Sequence, residues 1–261
     1  MTTPETHLCA HHLTGMYYRD ADLVNDLIGE QTFVQVLFSQ IMGREARPVD
    51  LRIVDAVLIT LMEHGLTPSA IATRLIYMSA PENLQGAVAA GLMAVGSQFV
   101  GTMENCSRLL DRINQAADPR AEAQAIAGEY RADKRALPGF GHHLHKPDDP
   151  RAVKLLSLAE AEPDLDQTHV HALRLLAGAV DAAHGRHITI NATGAVAALL
   201  GGIGVPTALM RGFAVISRAA GLVSHVAEEQ QSPSGRFIWE TIDHAIPYVG
   251  AGKSHQPGKQ P

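Results

Sequence analysis

Apolar residues recur three and four positions apart along most of this chain, while alternating runs of β-branched residues are nearly absent. That pattern restricts the fold to packed helices. In the clearest case Pro48 opens a segment in which Val49, Ile53, Val54, Val57, Leu58, Leu61 and Met62 fall on one face and Gly65 ends it. This predicts a helix running to His64. Asp20 reads as a cap for Leu23–Leu27 with Gly29 as the stop, and 32–42 as a second short helix. Further helices are expected at 66–78, 81–95, 100–116, 121–131, 151–161, 167–183 and 207–230, and 194–210 reads as buried helix, turn and second helix. Roughly ten helices make a helical globule. The best strand candidate is His187–Asn191, and the region 136–150, with Pro138, Pro147, Pro150, Gly139 and Gly141, cannot be continuous helix. Residues 250–261, rich in Gly, Pro, Lys and Gln, read as a mobile tail.

At 261 residues, 46% apolar and 18% charged, the chain has material for one or two globular domains. A formal charge of −6 argues against general attraction to nucleic acid, although a local cluster of arginines could still bind an anion. Two cysteines, Cys9 and Cys106, are too few for a disulfide scaffold and point to a reducing compartment. The N-terminus lacks a basic-then-apolar leader, and 194–210 is broken by Gly201, Gly202, Gly204 and Pro206. The expectation is a cytoplasmic protein with neither membrane nor nucleic-acid partners.

The densest chemistry lies in Gly139-Phe-Gly-His142-His143-Leu-His145-Lys146-Pro-Asp148-Asp149-Pro-Arg151. Its glycines let backbone N–H groups approach a ligand, and a helix beginning near Pro150 would aim its positive end at an anion. A histidine here can exchange protons near neutral pH. Adjacent histidines without a thiolate make a poor zinc site, so no metal is expected. His64 falls at a helix end, where the dipole favours its protonated form. Arg218 stands inside the apolar segment 213–226 and must meet an acid or a ligand carboxylate. Arg236 reads as part of a polar turn.

These motifs together resemble the citrate synthase superfamily. The resemblance rests on Gly139-Phe-Gly-His142, Lys146 and Asp149-Pro-Arg151, on Glu63-His64-Gly65 and Asn191-Ala-Thr193-Gly194, and on Ser217-Arg218-Ala-Ala-Gly221 through His225. It spans residues 19–248. The compact length, Phe99, and Arg236 three before Trp239 make the chain more similar to the citryl-CoA lyase module found at the C-terminus of ATP-citrate lyase. The resemblance implies an all-α homodimer, with a large domain from 1–100 and 205–261 and a smaller one from 101–204 closing over the interdomain cleft. Glycines at 96–101 and 201–204 would serve as hinges.

The substrates so implied are citryl-CoA, acetyl-CoA and oxaloacetate, with the CoA thioester as substrate and no tightly bound cofactor. His142 would polarise the ketone of oxaloacetate or handle the hydroxyl proton of citryl-CoA, and His64 would bond the same oxygen or a carboxylate. Arg151 and Arg218 would clamp carboxylates, and Arg236 would reach into a partner's site. Leu137, Pro138, Gly139, Phe140 and Gly141 would wrap the CoA adenine, with Lys146 near phosphate and Asn191 beside them. Three positions depart from citrate synthase: Thr193 replaces an aspartate, Phe99 a histidine and His143 an arginine. The oxaloacetate-facing groups are thus retained while the acetyl-facing ones are not. A threonine hydroxyl is no base near pH 7, so cleavage is favoured over condensation, with a water held by Thr193 as the expected substitute. Other readings consistent with the residues are a CoA- and dicarboxylate-binding regulatory subunit without turnover, and a condensing enzyme for another 2-oxo acid.

Overall fold

The structure is a computed structural model and describes residues 3–96 and 101–249. Phe99 and the expected 250–261 tail lie outside the described residues, as does part of the 96–101 hinge. The fold is all-α, with eleven α-helices among the described residues and one small sheet.

The sheet is N-terminal and was not expected. Strands β1 (Cys9–His12), β2 (Gly15–Tyr18) and β3 (Ala21–Asp22) pair antiparallel, His12 opposite Gly15 and Tyr18 opposite Ala21. Asp20 therefore lies in the second turn and is no cap. Asp22 caps instead, accepting from the amides of Val24 and Asn25 at the start of the π-helical turn Leu23–Leu27. A capping box on Thr32 and Gln35 opens α1 (Phe33–Met42), which Gly43 ends in the left-handed conformation. Helix α2 (Pro48–Met62) stops two residues short of His64. Then come α3 (Pro68–Ser79), α4 (Leu84–Met93), α5 (Thr102–Gln115), α6 (Pro119–Ala132), α7 (Pro150–Glu160), α8 (Thr168–His184) and α9 (Ala192–Gly202). A 3₁₀ turn (Thr207–Leu209) leads into α10 (Met210–Gln231), and α11 (Gly235–Ala245) is the last helix described. Arg236 thus sits on a helix, not in a turn.

The chain packs as two compact units, 1–62 with 96–217, and 63–95 with 218–261. Unit 1 is built around α9, whose residues from Gly194 to Leu200 are all buried, and which packs on α5, α7, α8 and α2. Phe38, Ile53, Leu110, Ile126, Leu156, Leu173, Leu176 and Phe213 complete that core. The segment 101–204, expected as a domain, lies within unit 1 and packs there with α1 and α2 through one core. In unit 2, α3 packs on α4 and α11. Gly91 permits the first contact, since a Cβ there would collide with Thr73 Oγ1 and lie 2.7 Å from the Ser69 carbonyl.

Candidate active site

In unit 1 the non-helical loop and the start of α9 are joined by close backbone approach. Gly139 has φ of 86°, and a Cβ there would lie 2.6 Å from Cys106 Sγ and 2.9 Å from Gly194 Cα. Only bare backbone fits at both positions. The amide of Gly141 donates to the Thr189 carbonyl and that of Asn191 to the Gly139 carbonyl, so the expected strand His187–Asn191 is a single bridge between Ile190 and Phe140. Leu137 and Pro138 are half-buried, Gly139 and Phe140 buried, and Gly141, His143 and Lys146 exposed.

His142 is fixed by its own loop. Its Nδ1 accepts from the amides of Leu144 (3.1 Å) and His145 (2.9 Å). These two shorter contacts assign the ring proton to Nε2; Arg151 Nη2, which can only donate, stands 3.4 Å from that nitrogen and makes no hydrogen bond to it in this tautomer. Burial, the neighbouring His145 ring and the Arg151 guanidinium hold its pKa below the ordinary imidazole value, against the opposing pull of Asp149. The His143 and His145 rings stack on it at 4.7 and 4.4 Å. Among the described residues, no group of three or more His, Cys, Asp or Glu side chains is placed to hold a metal ion.

Asp149 links this loop to the two helices beside it. It is fully buried at the start of α7, where Oδ1 accepts from Arg151 N and Nε and Oδ2 from Arg151 Nη2 and the Ala192 amide. Burial alone would raise its pKa, but the Arg151 bonds and the Ala192 amide hold it below the usual carboxylate range. One carboxylate thus ties Arg151 to the first turn of α9, which carries Thr193.

At that turn Asn191 caps α9. Its Oδ1 accepts from the Gly194 amide and its Nδ2 donates to the Gly141 carbonyl. Thr193 donates to the same Oδ1 at 2.7 Å and lies 2.9 Å from Thr102 Oγ1. Because the Thr193 proton is committed to Asn191, Thr102 supplies the proton of the second bond and Thr193 faces any further partner as an acceptor.

Unit 2 holds the remaining predicted residues. His64 sits beyond α2 in a turn whose amides, His64 N and Gly65 N, donate to Glu63 Oε1 at 2.8 and 2.6 Å. Glu63 Oε2 lies 3.0 Å from His225 Nε2 and 3.5 Å from Arg218 Nη1. Burial works against the Glu63 charge, yet the His64 amide and His225 bring its pKa down. Arg218 is 7% exposed, and its burial lowers its own pKa despite Glu63. Exposed Arg236 pairs with Glu240 one turn along α11. Asp149, Glu63 and His225 lie inside the motifs noted in the sequence but were given no role there, and Arg74 was missed altogether.

The model of the family "Citrate synthase, C-terminal domain" matches residues 9–239. Citryl-CoA lyase from Hydrogenobacter thermophilus is similar in structure, with a TM-score of 0.85, 29% identity and coverage of 98% of both chains. "Putative citrate synthase 2" of Mycobacterium tuberculosis is 26% identical over 87% of this chain and 58% of its own length. "Probable ATP-citrate synthase subunit 1" of Neurospora crassa is 21% identical over 90% of this chain and 36% of its own length. The chain therefore spans only about a third to three-fifths of these curated relatives. With the all-helical architecture and a family match over most of its length, this chain belongs to the citrate synthase family.

Proposed function

We propose that the protein is a citryl-CoA lyase, cleaving citryl-CoA to acetyl-CoA and oxaloacetate. The observation that carries this reading is the likeness to a citryl-CoA lyase over 98% of both chains, at 29% identity. The residues suit the chemistry. Cleavage removes the hydroxyl proton, breaks the carbon–carbon bond and leaves its electron pair on the acetyl thioester as an enolate, which then takes a proton at carbon.

His142 presents an Nε2 proton, so its role is to donate to the ketone oxygen of oxaloacetate and to the oxyanion that precedes it, while His64 takes the hydroxyl proton. Arg151, with its fork already aligned by Asp149, and the buried Arg218 bind carboxylates. Thr193, an acceptor, orients a water that protonates the departing enolate, and the hydroxide left behind takes up the proton that His64 removed, which restores both. Residues 137–141 with Lys146 and Asn191 take the CoA thioester, Phe99 and His143 complete the substrate contacts, and no other cofactor is assigned.

We place the protein in the cytoplasm as a homodimer, without nucleic-acid or membrane partners. No described helix is long and apolar enough to cross a membrane. In support of a dimer, α11 exposes Phe237, Trp239 and Ile242 beside Arg236, an apolar surface suited to a second subunit. Mixing Arg236→Ala and His142→Asn subunits should restore activity if Arg236 serves the partner's site.

The test is incubation of the purified protein with citryl-CoA while oxaloacetate release is monitored. Binding without turnover beyond the uncatalysed rate would favour a regulatory binding subunit, a reading motivated by the missing carboxylate at Thr193. Turnover only with a different 2-oxo acid would point to another condensing enzyme.

A further inference from the structure

Unit 2 contains a buried polar relay that the catalytic and binding roles proposed for this protein do not use. Arg74 on α3 is 2% exposed, and its Nε donates to His225 Nδ1 at 3.0 Å. Its Nη1 donates to Glu229 Oε2 and Ser234 Oγ, and its Nη2 pairs with Glu228. An arginine Nε–H can only donate, so His225 Nδ1 accepts and the ring proton lies on Nε2, 3.0 Å from Glu63 Oε2 but not aligned for a hydrogen bond to it. Glu63 in turn holds the His64 and Gly65 amides through Oε1. At the other end Glu229 Oε1 accepts from the amides of Ser234 and Gly235, which fixes the start of α11 one residue before Arg236.

The distances around Glu63 are unequal. His225 lies 3.0 Å from Oε2, whereas Arg218 is 3.5 Å away, well beyond the 2.7–2.9 Å typical of a strong charge-assisted bond. Glu63 Oε2 thus accepts only a long hydrogen bond from Arg218 Nη1, while its nearer neighbour is the His225 ring.

We propose that His225 is a positioning residue for dicarboxylate binding: its ring, nearer to Glu63 Oε2 than Arg218 is, limits that carboxylate to a long bond with Arg218, so that the guanidinium serves a substrate carboxylate, and it keeps the His64 turn in place. The inference rests on the reading that Arg218 binds substrate. Without the Nε2–H, Glu63 closes on Arg218 and the incoming carboxylate has to displace it.

Two substitutions separate this role from packing. His225→Gln can restore an N–H toward Glu63, whereas His225→Asn can restore only the acceptor for Arg74. The His225→Asn variant should raise KM for citryl-CoA and Kd for oxaloacetate by about tenfold as Glu63 closes on Arg218, and lower kcat by a smaller factor, about threefold, as the His64 turn shifts. His225→Gln should stay near wild type on both. Independently of any ligand, NMR amide signals of His64 and Gly65 should shift in His225→Asn and hold in His225→Gln. Unchanged amide signals and unchanged affinity in His225→Asn overturn the role of His225, as does an equal loss in both variants. If the wild-type protein binds oxaloacetate but fails to cleave citryl-CoA, the proposed function falls, while the amide signals and the oxaloacetate titration still decide the role of His225.

Discussion

Asp149 binds Arg151 at three points, through the backbone amide, Nε and Nη2, and spends its remaining capacity on the Ala192 amide. The orientation of the arginine fork is thus set by a carboxylate that solvent does not reach. Replacing Asp149 by Asn removes the buried charge that faces the Arg151 guanidinium and one acceptor from the start of α9. We expect a loss of about 3 kcal/mol in urea unfolding, in the range for breaking a buried pair. Citryl-CoA turnover should fall by about a hundredfold because the carboxylate clamp loses alignment.

Protonation of His142 would place a proton on Nδ1, where two backbone amides already donate. The ring must be neutral for the loop to keep its shape, and its pKa is held below the ordinary imidazole value by burial and by the nearby His145 and Arg151. A pH–rate profile should therefore lose activity on the acid side, with the midpoint below about 6.5. His142→Asn should lower turnover by about a hundredfold and abolish that limb. An acid limb that survives the substitution would assign it to a different group.

Thr193→Asp tests whether a titrating group at this position speeds proton transfer at the acetyl carbon. The new carboxyl would meet the Thr102 hydroxyl as a donor and Asn191 Oδ1 as an acceptor, so one of its oxygens is driven to hold a proton. In that form it gives its proton to the enolate in cleavage, and the carboxylate left behind takes one from the acetyl-CoA methyl in condensation. Rates in both directions should rise by about tenfold, read by coupled assays, with their balance still set by the equilibrium constant. Unchanged rates would show that proton transfer at the acetyl carbon does not depend on the residue at this position.

Gly139→Ala brings a methyl group against Cys106 Sγ, at 2.6 Å, and against the backbone of Gly194, at a φ of 86°. We expect a loss of about 3 kcal/mol in stability, from overpacking and left-handed strain together. Combining it with Cys106→Ala should recover only part of this loss, since the Gly194 contact and the φ value remain. Thermal melting of the single and double variants checks the order.

His187 joins Asp181 (2.9 Å) to Asp148 (3.1 Å) in the loop before Asp149. Asp181 and then Asp148 raise its pKa above the ordinary imidazole value. Its contribution is therefore complete below about pH 6.5 and is lost as pH rises through the raised value. The difference in Tm between wild type and His187→Gln should shrink from pH 6 to pH 9.

The helices were legible because their signals are local. The Thr32 cap, Pro48, Pro119 and Pro150 mark starts directly in the sequence, and the expected and observed starts at 32–33 and 48 agree within a residue. The N-terminal strands, Cys9–His12 and Gly15–Tyr18, are four residues each and show no alternation, so nothing local announces them. Helix α11 hid behind Ser232-Pro-Ser-Gly235, which reads as a turn. Of the site, His142 and Arg151 were visible because their partners lie within nine residues. The relay through Arg74, His225, Glu229 and Glu63 was not, since it joins residues about 150 positions apart. The one sequence trace of it is His225, Glu228 and Glu229 at helical spacing in a largely apolar helix, a set of polar groups needing a partner.

The packing of Cys106 beneath Gly139 has a practical consequence. Its thiol is fully buried and pushed up to about 12, while Cys9 is exposed. An alkylating reagent would consume Cys9 promptly and reach Cys106 only during excursions that lift the glycine off it. The slow phase of labelling becomes a stopwatch for opening of the loop that carries His142, readable by mass spectrometry on the native sequence without any added probe.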